Sequence, residues 1–352
     1  MSTPTGSAPS PTPTADSQVA KIFEWRRGFN AMHLIDIGIH LGLFRALAAT
    51  PNIDSQSLAL QLGLHAPYVK VWCLTAYSFG LLEADGETSF RLAPFVNEIL
   101  ANPSHPRYLG GYVQLGTRFA TDDHRHALEG FRTGATSPFQ GRSEEFAQVV
   151  AQAIAGVNVM VARKILPGLP SVAEKLTAGG SLLEVGCGTG NLQIQIAKAF
   201  PAAQCAGIDI DPTGIQCARD AVRQAGLSDR ITLIEGDIAD AVQSQSFDVV
   251  VMVEVLHEIE PEIRPRVVAG CANALRPGGW LIIVDETYPS TLAEAREPEF
   301  LFPVQTGFEE LMWGNLVPTR NEQEQLLRSA GFAGTIDRSL LGAGFTLLAT
   351  QR

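Results

Sequence analysis

Along the first half of the chain, apolar positions recur at helical spacing. Phe23, Phe29, Met32, Leu34, Ile35, Ile39, Leu43 and Phe44 place a helix or helix pair between Gln18 and about Leu47. Asp54 or Ser55 can cap a helix that runs to Leu62 and closes at Gly63. A second helix covers roughly Pro67 to Phe79. "GLLEADGETSFRLAP" then alternates around Asp85-Gly86, a hairpin signal. Helix, turn, helix and two-stranded wing make a winged-helix pattern. Residues 105–170 return to helical spacing, with "EEFAQVVAQAIAGVNVMVARKILPGL" as the longest run, broken by Pro167 and Pro170.

After "LTAGG" the period changes. Short apolar runs at Ser181–Val185, Gln204–Asp209, Ile231–Glu235, Phe247–Val253, Trp280–Asp285 and Phe345–Thr350 alternate with helical segments. This alternation predicts an α/β domain, a doubly wound Rossmann-like sheet with helices on both faces, behind an N-terminal all-α/winged-helix domain. The expected division is a disordered, Ser/Thr/Pro-rich tail at 1–17, a helical dimerisation and acceptor domain at 18–165, and a ligand-binding domain at 166–352.

Composition narrows the function. A chain of 352 residues, 45% hydrophobic, can bury two cores, and a net charge of −11 argues against nucleic-acid or anionic-membrane partners. Residues 55–80 hold one lysine, Lys70, and no arginine, so the second helix of the wing motif suits protein contact better than phosphate contact. Five scattered cysteines (Cys73, Cys187, Cys205, Cys217, Cys271) show no metal-ligand spacing and no disulfide framework, so no metal and a reduced, cytoplasmic setting are expected. No apolar run reaches bilayer length.

The chemistry concentrates in "SLLEVGCGTGNLQIQIAKAFPAAQCAGIDID". Gly186, Gly188 and Gly190 form G-x-G-x-G, one place short of the dinucleotide spacing, and no Gly-Lys-Ser/Thr is present for a triphosphate. Glycine lets a ligand lie against bare backbone. Glu184, two places before the first glycine, would repel a pyrophosphate and suits an ammonium group. Asp209 ends the second strand, where an acid accepts from ribose hydroxyls. Gly236-Asp237 follows the third, where an acid accepts from an adenine amino group. A cationic nucleoside with an amino-acid tail and no phosphate is S-adenosylmethionine (SAM).

At these residues the chain resembles the class I SAM-dependent methyltransferases. "LLEVGCGTGN", "GIDID", "EGDI", "FDVVVMVEVLHEI" and "ALRPGGWLIIVDE" follow that family's motifs in order. The resemblance implies a seven-stranded sheet and a cofactor site of Glu184, Gly186, Gly188, Gly190, Asp209, Ile210, Asp237, Ile238 and Glu254. With the winged helix included, nearly the whole chain looks like the small-molecule O-methyltransferases. That likeness implies a homodimer and a catalytic pair after the fourth strand, at His257 and Glu258, although the family's residue at the second position is aspartate.

Local signals supply the remaining expectations. Asp211 before Pro212 reads as a helix N-cap, Pro277-Gly278-Gly279 as a turn, and Thr319 to Glu322 as a capping box. The stretch between Glu286 and Thr319 is too long for an ordinary connection and reads as a lid. Two basic clusters, one with Arg26, Arg27 and His33 and one with His124, Arg125, His126 and Arg132, are either solvated helix faces or a clamp for a carboxylic acid acceptor. O-methylation of a small molecule is the expected activity. S-methylation of a thioether carboxylic acid, carboxyl methylation, a winged-helix transcription regulator and a nicotinamide oxidoreductase are the alternatives.

Overall fold

The computed structural model describes residues 13–139 and 141–352. Most of the expected N-terminal tail, residues 1–12, lies outside the described residues. The first helix, Ala15–His40, begins before residue 18 because Thr14 and Ser17 exchange side-chain and backbone hydrogen bonds in a capping box. The described chain forms two compact units, one ending at Val113 and one beginning at Gln114. The expected boundary near residue 165 therefore lies elsewhere. The helical run between 144 and 168 belongs to the second unit because Val161, Ala162, Ile165 and Leu166 are buried in its core.

In the first unit Gly42, with φ of 74°, separates Ala15–His40 from Leu43–Ala49. Asp54 caps Ser55–Leu62, Gly63 ends it in the left-handed region, and Ala66–Ser78 follows. The expected hairpin forms from β2 (Leu82–Asp85) and β3 (Ser89–Leu92), and the short β1 (Ile53–Asp54) pairs with the other edge of β3. Two residues carry too little pattern for β1 to be read in advance. Phe44, Leu58, Trp72, Cys73 and Phe90 fill the core, and the Trp72 indole N–H donates to Leu34 at 3.0 Å. The outer side of Ala66–Ser78 exposes Tyr68, Val71, Leu74 and Tyr77.

The second unit is built on a seven-stranded sheet of order β6-β5-β4-β7-β8-β10-β9. Its strands are β4 (Ser181–Val185), β5 (Gln204–Asp209), β6 (Ile231–Glu235), β7 (Phe247–Val253), β8 (Leu275–Glu286), β9 (Ile336–Leu340) and β10 (Phe345–Gln351). The first five are parallel, and β10 runs antiparallel to both β8 and β9. The polar segment "IDRSL" hid β9 from pattern reading. β8 starts earlier than expected, and its pairing with β7 skips from Phe247–Leu275 to Val249–Trp280, so Pro277-Gly278-Gly279 forms an irregularity inside the strand.

Adjacent residues face opposite layers. Leu182, Val249, Val251 and Ile282 pack with helix Asn191–Ala199 on one face. Leu183, Val250, Met252 and Ile283 pack with Val268, Cys271, Leu327 and Phe332 on the other. Strands buried on both faces read as continuous apolar runs, which is the pattern that betrayed them. The order of successive strands reverses between β4 and β7, and ligand crevices in such sheets open at the strand C-termini beside that point. No single helix is long and apolar enough to cross a membrane among the described residues.

Candidate active site

A cavity of about 740 Å3 opens at the C-terminal ends of β4, β5, β6 and β7. Of the expected cofactor residues, Glu184, Gly186, Gly188, Asp209, Ile210, Asp237, Ile238 and Glu254 line it. Gly190 does not. It turns the chain into helix Asn191–Ala199 with φ of 76°, and a Cβ there would sit 3.1 Å from that of Ala218, so its role is local packing.

The glycine loop is held by the sheet beside it. The backbone N–H groups of Gly186 and Cys187 donate to Ile208, and Gly188 N–H donates to Asp209 Oδ2 at 2.8 Å. Asp209 Oδ1 accepts from Asp211 N–H, also at 2.8 Å. Gly186 has φ of 71°, and a Cβ would come within 2.4 Å of Val255, so only glycine leaves the loop in place. Glu184 is buried and accepts from the Gln193 amide at 2.9 Å. Burial pushes its pKa up to about 8, with Asp209 adding to the rise. Asp211 caps helix Pro212–Gln224 as expected. Asp237 caps the next short helix through Ala239 N–H and lies 3.2 Å from the Arg266 guanidinium.

At the end of β7 the backbone is unusual. Glu254, a residue with a side chain, takes φ of 56°, a conformation tolerated chiefly at sites where surrounding structure enforces it. Its Oε1 is buried without a hydrogen-bond partner among the described residues. A buried unpaired carboxylate oxygen, a buried Glu184 and open glycine backbone fit the cationic tail of SAM, and the Asp209 carboxylate fits its ribose.

The two expected catalytic residues part company. Glu258 lines the cavity, and burial raises its pKa to about 8 against the opposing pull of His257. His257 is 3% exposed, behind the wall. Its Nδ1 is 2.6 Å from Asp285 Oδ1, and its Nε2 is 3.7 Å from Glu310 Oε1. Burial opposes charge on this imidazole, yet Asp285 and Glu310 outweigh it and hold the pKa well above the ordinary value. Asp285 Oδ2 also accepts from the N–H groups of Val255 and Leu256, which locks the loop that carries both residues. Arg264, itself buried, donates to the carbonyls of His257, Ile259 and Leu316.

The cavity is also walled by residues that no motif announced: Phe139, Arg142, Phe146 and Trp313. The expected lid between Glu286 and Thr319 contains helix Leu301–Trp313, and the segment following it, through Leu316, lines the cavity. Of the expected carboxylate clamp, His124, Arg125, His126 and Arg132 do not reach this cavity. Arg125 pairs with Asp122 at 2.5 Å on an exposed helix, and His124 Nδ1 lies 2.6 Å from the Ala120 carbonyl. In the first unit Arg26 bonds Asn30, Arg27 lies over Phe79 at 4.6 Å, and His33 packs edge-on to Phe29.

Comparison with known proteins agrees with this geometry. A family model described as a methyltransferase domain matches residues 182–279, from β4 into β8. The chain is 27% identical over 254 residues to the 3-hydroxy-5-methyl-1-naphthoate 3-O-methyltransferase of Streptomyces sahachiroi, covering 70% of each. It is 27% identical over 293 residues to the N,N-dimethyltransferase OxyT of Streptomyces rimosus, covering 80% of this chain and 82% of that one. The fold matches that of human N-acetylserotonin methyltransferase in complex with SAM, with a TM-score of 0.79 at 18% identity over 97% of this chain and 99% of the other. The chain is a SAM-dependent methyltransferase. Asp285, Glu310, Arg142 and Trp313 escaped sequence reasoning. The available signals were an acid ending the apolar run "LIIVDE" and the second of two glutamates before "LMWG".

Proposed function

We propose that this methyltransferase transfers a methyl group to a hydroxyl of a small, largely apolar and uncharged acceptor. The observation that carries the proposal is one continuous cavity lined both by the glycine loop and Asp209 and by an aromatic wall of Phe139, Phe146 and Trp313. When bound, SAM supplies a methyl carbon already activated by its sulfonium. The protein's share is to hold the acceptor oxygen in line with that carbon, and such positioning is worth about 7–11 kcal/mol at best.

Glu184, Asp209 and Asp237 bind at the donor end. Glu258, on the wall with a pKa near the working range, takes the proton from the acceptor hydroxyl. His257 stands behind it as the fixed countercharge, oriented by Asp285 and Glu310. Arg142 is the only basic residue among the described lining residues, and Asp123 already holds it at 2.8 Å, which argues against a carboxylic acid acceptor. Methyl-labelled SAM, incubated with phenol, catechol and 2-naphthol, should label a phenolic oxygen. Label found only on nitrogen, sulfur or carboxylate in a wider metabolite extract would defeat the reading.

We further propose that the N-terminal unit is a winged-helix dimerisation module. Its first helix exposes Ile22, Phe23, Trp25 and Phe29, and a second copy of the chain would bury them. Light scattering should give twice the 37.8 kDa chain mass. A monomer at micromolar concentration would sink this part.

A further inference from the structure

Asp123 lies outside every motif, is 8% exposed, and has one carboxylate oxygen shared by two distant partners. Its Oδ2 accepts from the Trp313 indole N–H at 2.7 Å and from the Arg142 guanidinium at 2.8 Å. Arg142 is itself fully engaged. Its Nε and second terminal nitrogen donate to the carbonyls of Pro138 and Ser137, each at 2.9 Å, and its Cζ lies 4.6 Å from the Phe146 ring centroid. Phe139 packs edge-on to both Phe146 and Trp313, with centroids 4.9 and 5.4 Å apart. Ser137 N–H donates to the Met312 carbonyl at 2.8 Å, so the segment before Arg142 and the end of helix Leu301–Trp313 are tied twice.

That helix end also carries Glu310. Its Oε2 accepts from the Asn315 amide at 2.8 Å while Oε1 faces His257. One buried carboxylate therefore anchors both the aromatic wall and the turn that sets Glu310 behind the catalytic loop. Among the described residues, none of the hydrogen bonds of Asp123 reaches the glycine loop, Asp209 or Asp237.

We infer that Asp123 is a positioning residue: through Trp313 and Arg142 it holds the acceptor half of the cavity in its working shape and leaves the donor half to its own supports. This inference rests on the acceptor lying against that wall, as proposed above. A shared buried acceptor suits the role because its two partners are charged or strongly polar and leave no slack in either element.

The test uses the full-length protein labelled with 5-fluorotryptophan, which gives resonances for Trp25, Trp72, Trp280 and Trp313, the last assigned by Trp313→Phe. Asp123→Asn should shift or broaden the Trp313 line alone and leave the affinity for S-adenosylhomocysteine, measured by calorimetry, within twofold. With whichever member of the phenolic panel is methylated fastest, the acceptor KM should rise tenfold or more while the SAM KM stays put. Trp313→Phe should give a similar loss, the double variant should be no worse than the poorer single, and Asp123→Glu should recover part of the rate. An unmoved Trp313 line, additive losses, or parallel rises in both KM values would overturn the inference. If the unaltered enzyme methylates no phenol, the functional reading fails. The fluorine spectra and the calorimetry then still decide whether Asp123 holds this wall independently of the donor end.

Discussion

The two ends of the cavity are built by different logic. The donor end comes from consecutive turns of one sheet edge: the loop after β4, Asp209 ending β5, Asp237 after β6 and Glu254 after β7. Each residue owes its place to the strand just before it. The proposed acceptor end is assembled from pieces that meet only in three dimensions. Trp313 reaches back 190 residues to Asp123, and His257 reaches forward 28 to Asp285. A site made by local chain geometry is fixed once the sheet forms, whereas a site made by long-range packing can be remodelled without disturbing the other.

Exchange of single residues should separate the ends, and the largest effect belongs to the pair Glu258 and Asp209. Glu258→Gln removes a proton acceptor without changing size. It should cost about 10²–10⁴ in turnover, the usual range for a general base, with SAM affinity preserved. Asp209→Ala should do the reverse. Losing charge-assisted hydrogen bonds weakens SAM by about 1–3 kcal/mol, and turnover at saturating SAM should largely recover. Calorimetry beside initial rates separates the two. If both substitutions depress both quantities together, the division of labour drawn above is wrong.

A smaller effect follows from Glu184. Its pKa is about 8 in the folded chain against 4.5 ordinarily, so between those values the folded state binds more protons than the unfolded one. The contribution to stability is present in full below about 4.5 and is lost as pH rises through 8. The melting temperature of the unliganded protein should therefore fall from pH 6 to pH 9. Glu184→Gln, which keeps a partner for Gln193, should fall less steeply, by about 2–4 °C for each kcal/mol at issue. Equal slopes in a pair of thermal scans would remove Glu184 from the explanation.

The same contrast explains what the sequence could tell. The parallel strands, the glycine loop, the Asp54, Asp211 and Thr319 caps and the acids at strand ends were legible because each is a short-range pattern with a local physical cause. The family resemblance then supplied the seventh strand that "IDRSL" concealed. His257 and Glu258 were found as a pair, but nothing local says which of two adjacent side chains faces a cavity. Asp123 lay one residue from the basic cluster that drew attention, and its importance comes from partners that periodicity cannot see. The unit boundary was misplaced for a related reason. The helices between 144 and 168 look alike in isolation, and only their burial against the sheet assigns them.

The order of the strands has a consequence for how the catalytic unit comes together. β9 hydrogen-bonds only to β10 within the sheet, and β10 lies between it and β8, so Ile336–Leu340 joins the sheet only through Phe345–Gln351. The parallel half can assemble as successive crossovers emerge. The reversed margin is held to β8 through β10 alone, so a chain lacking Phe345–Gln351 would leave the flank of β8 bare and prone to pairing with other chains.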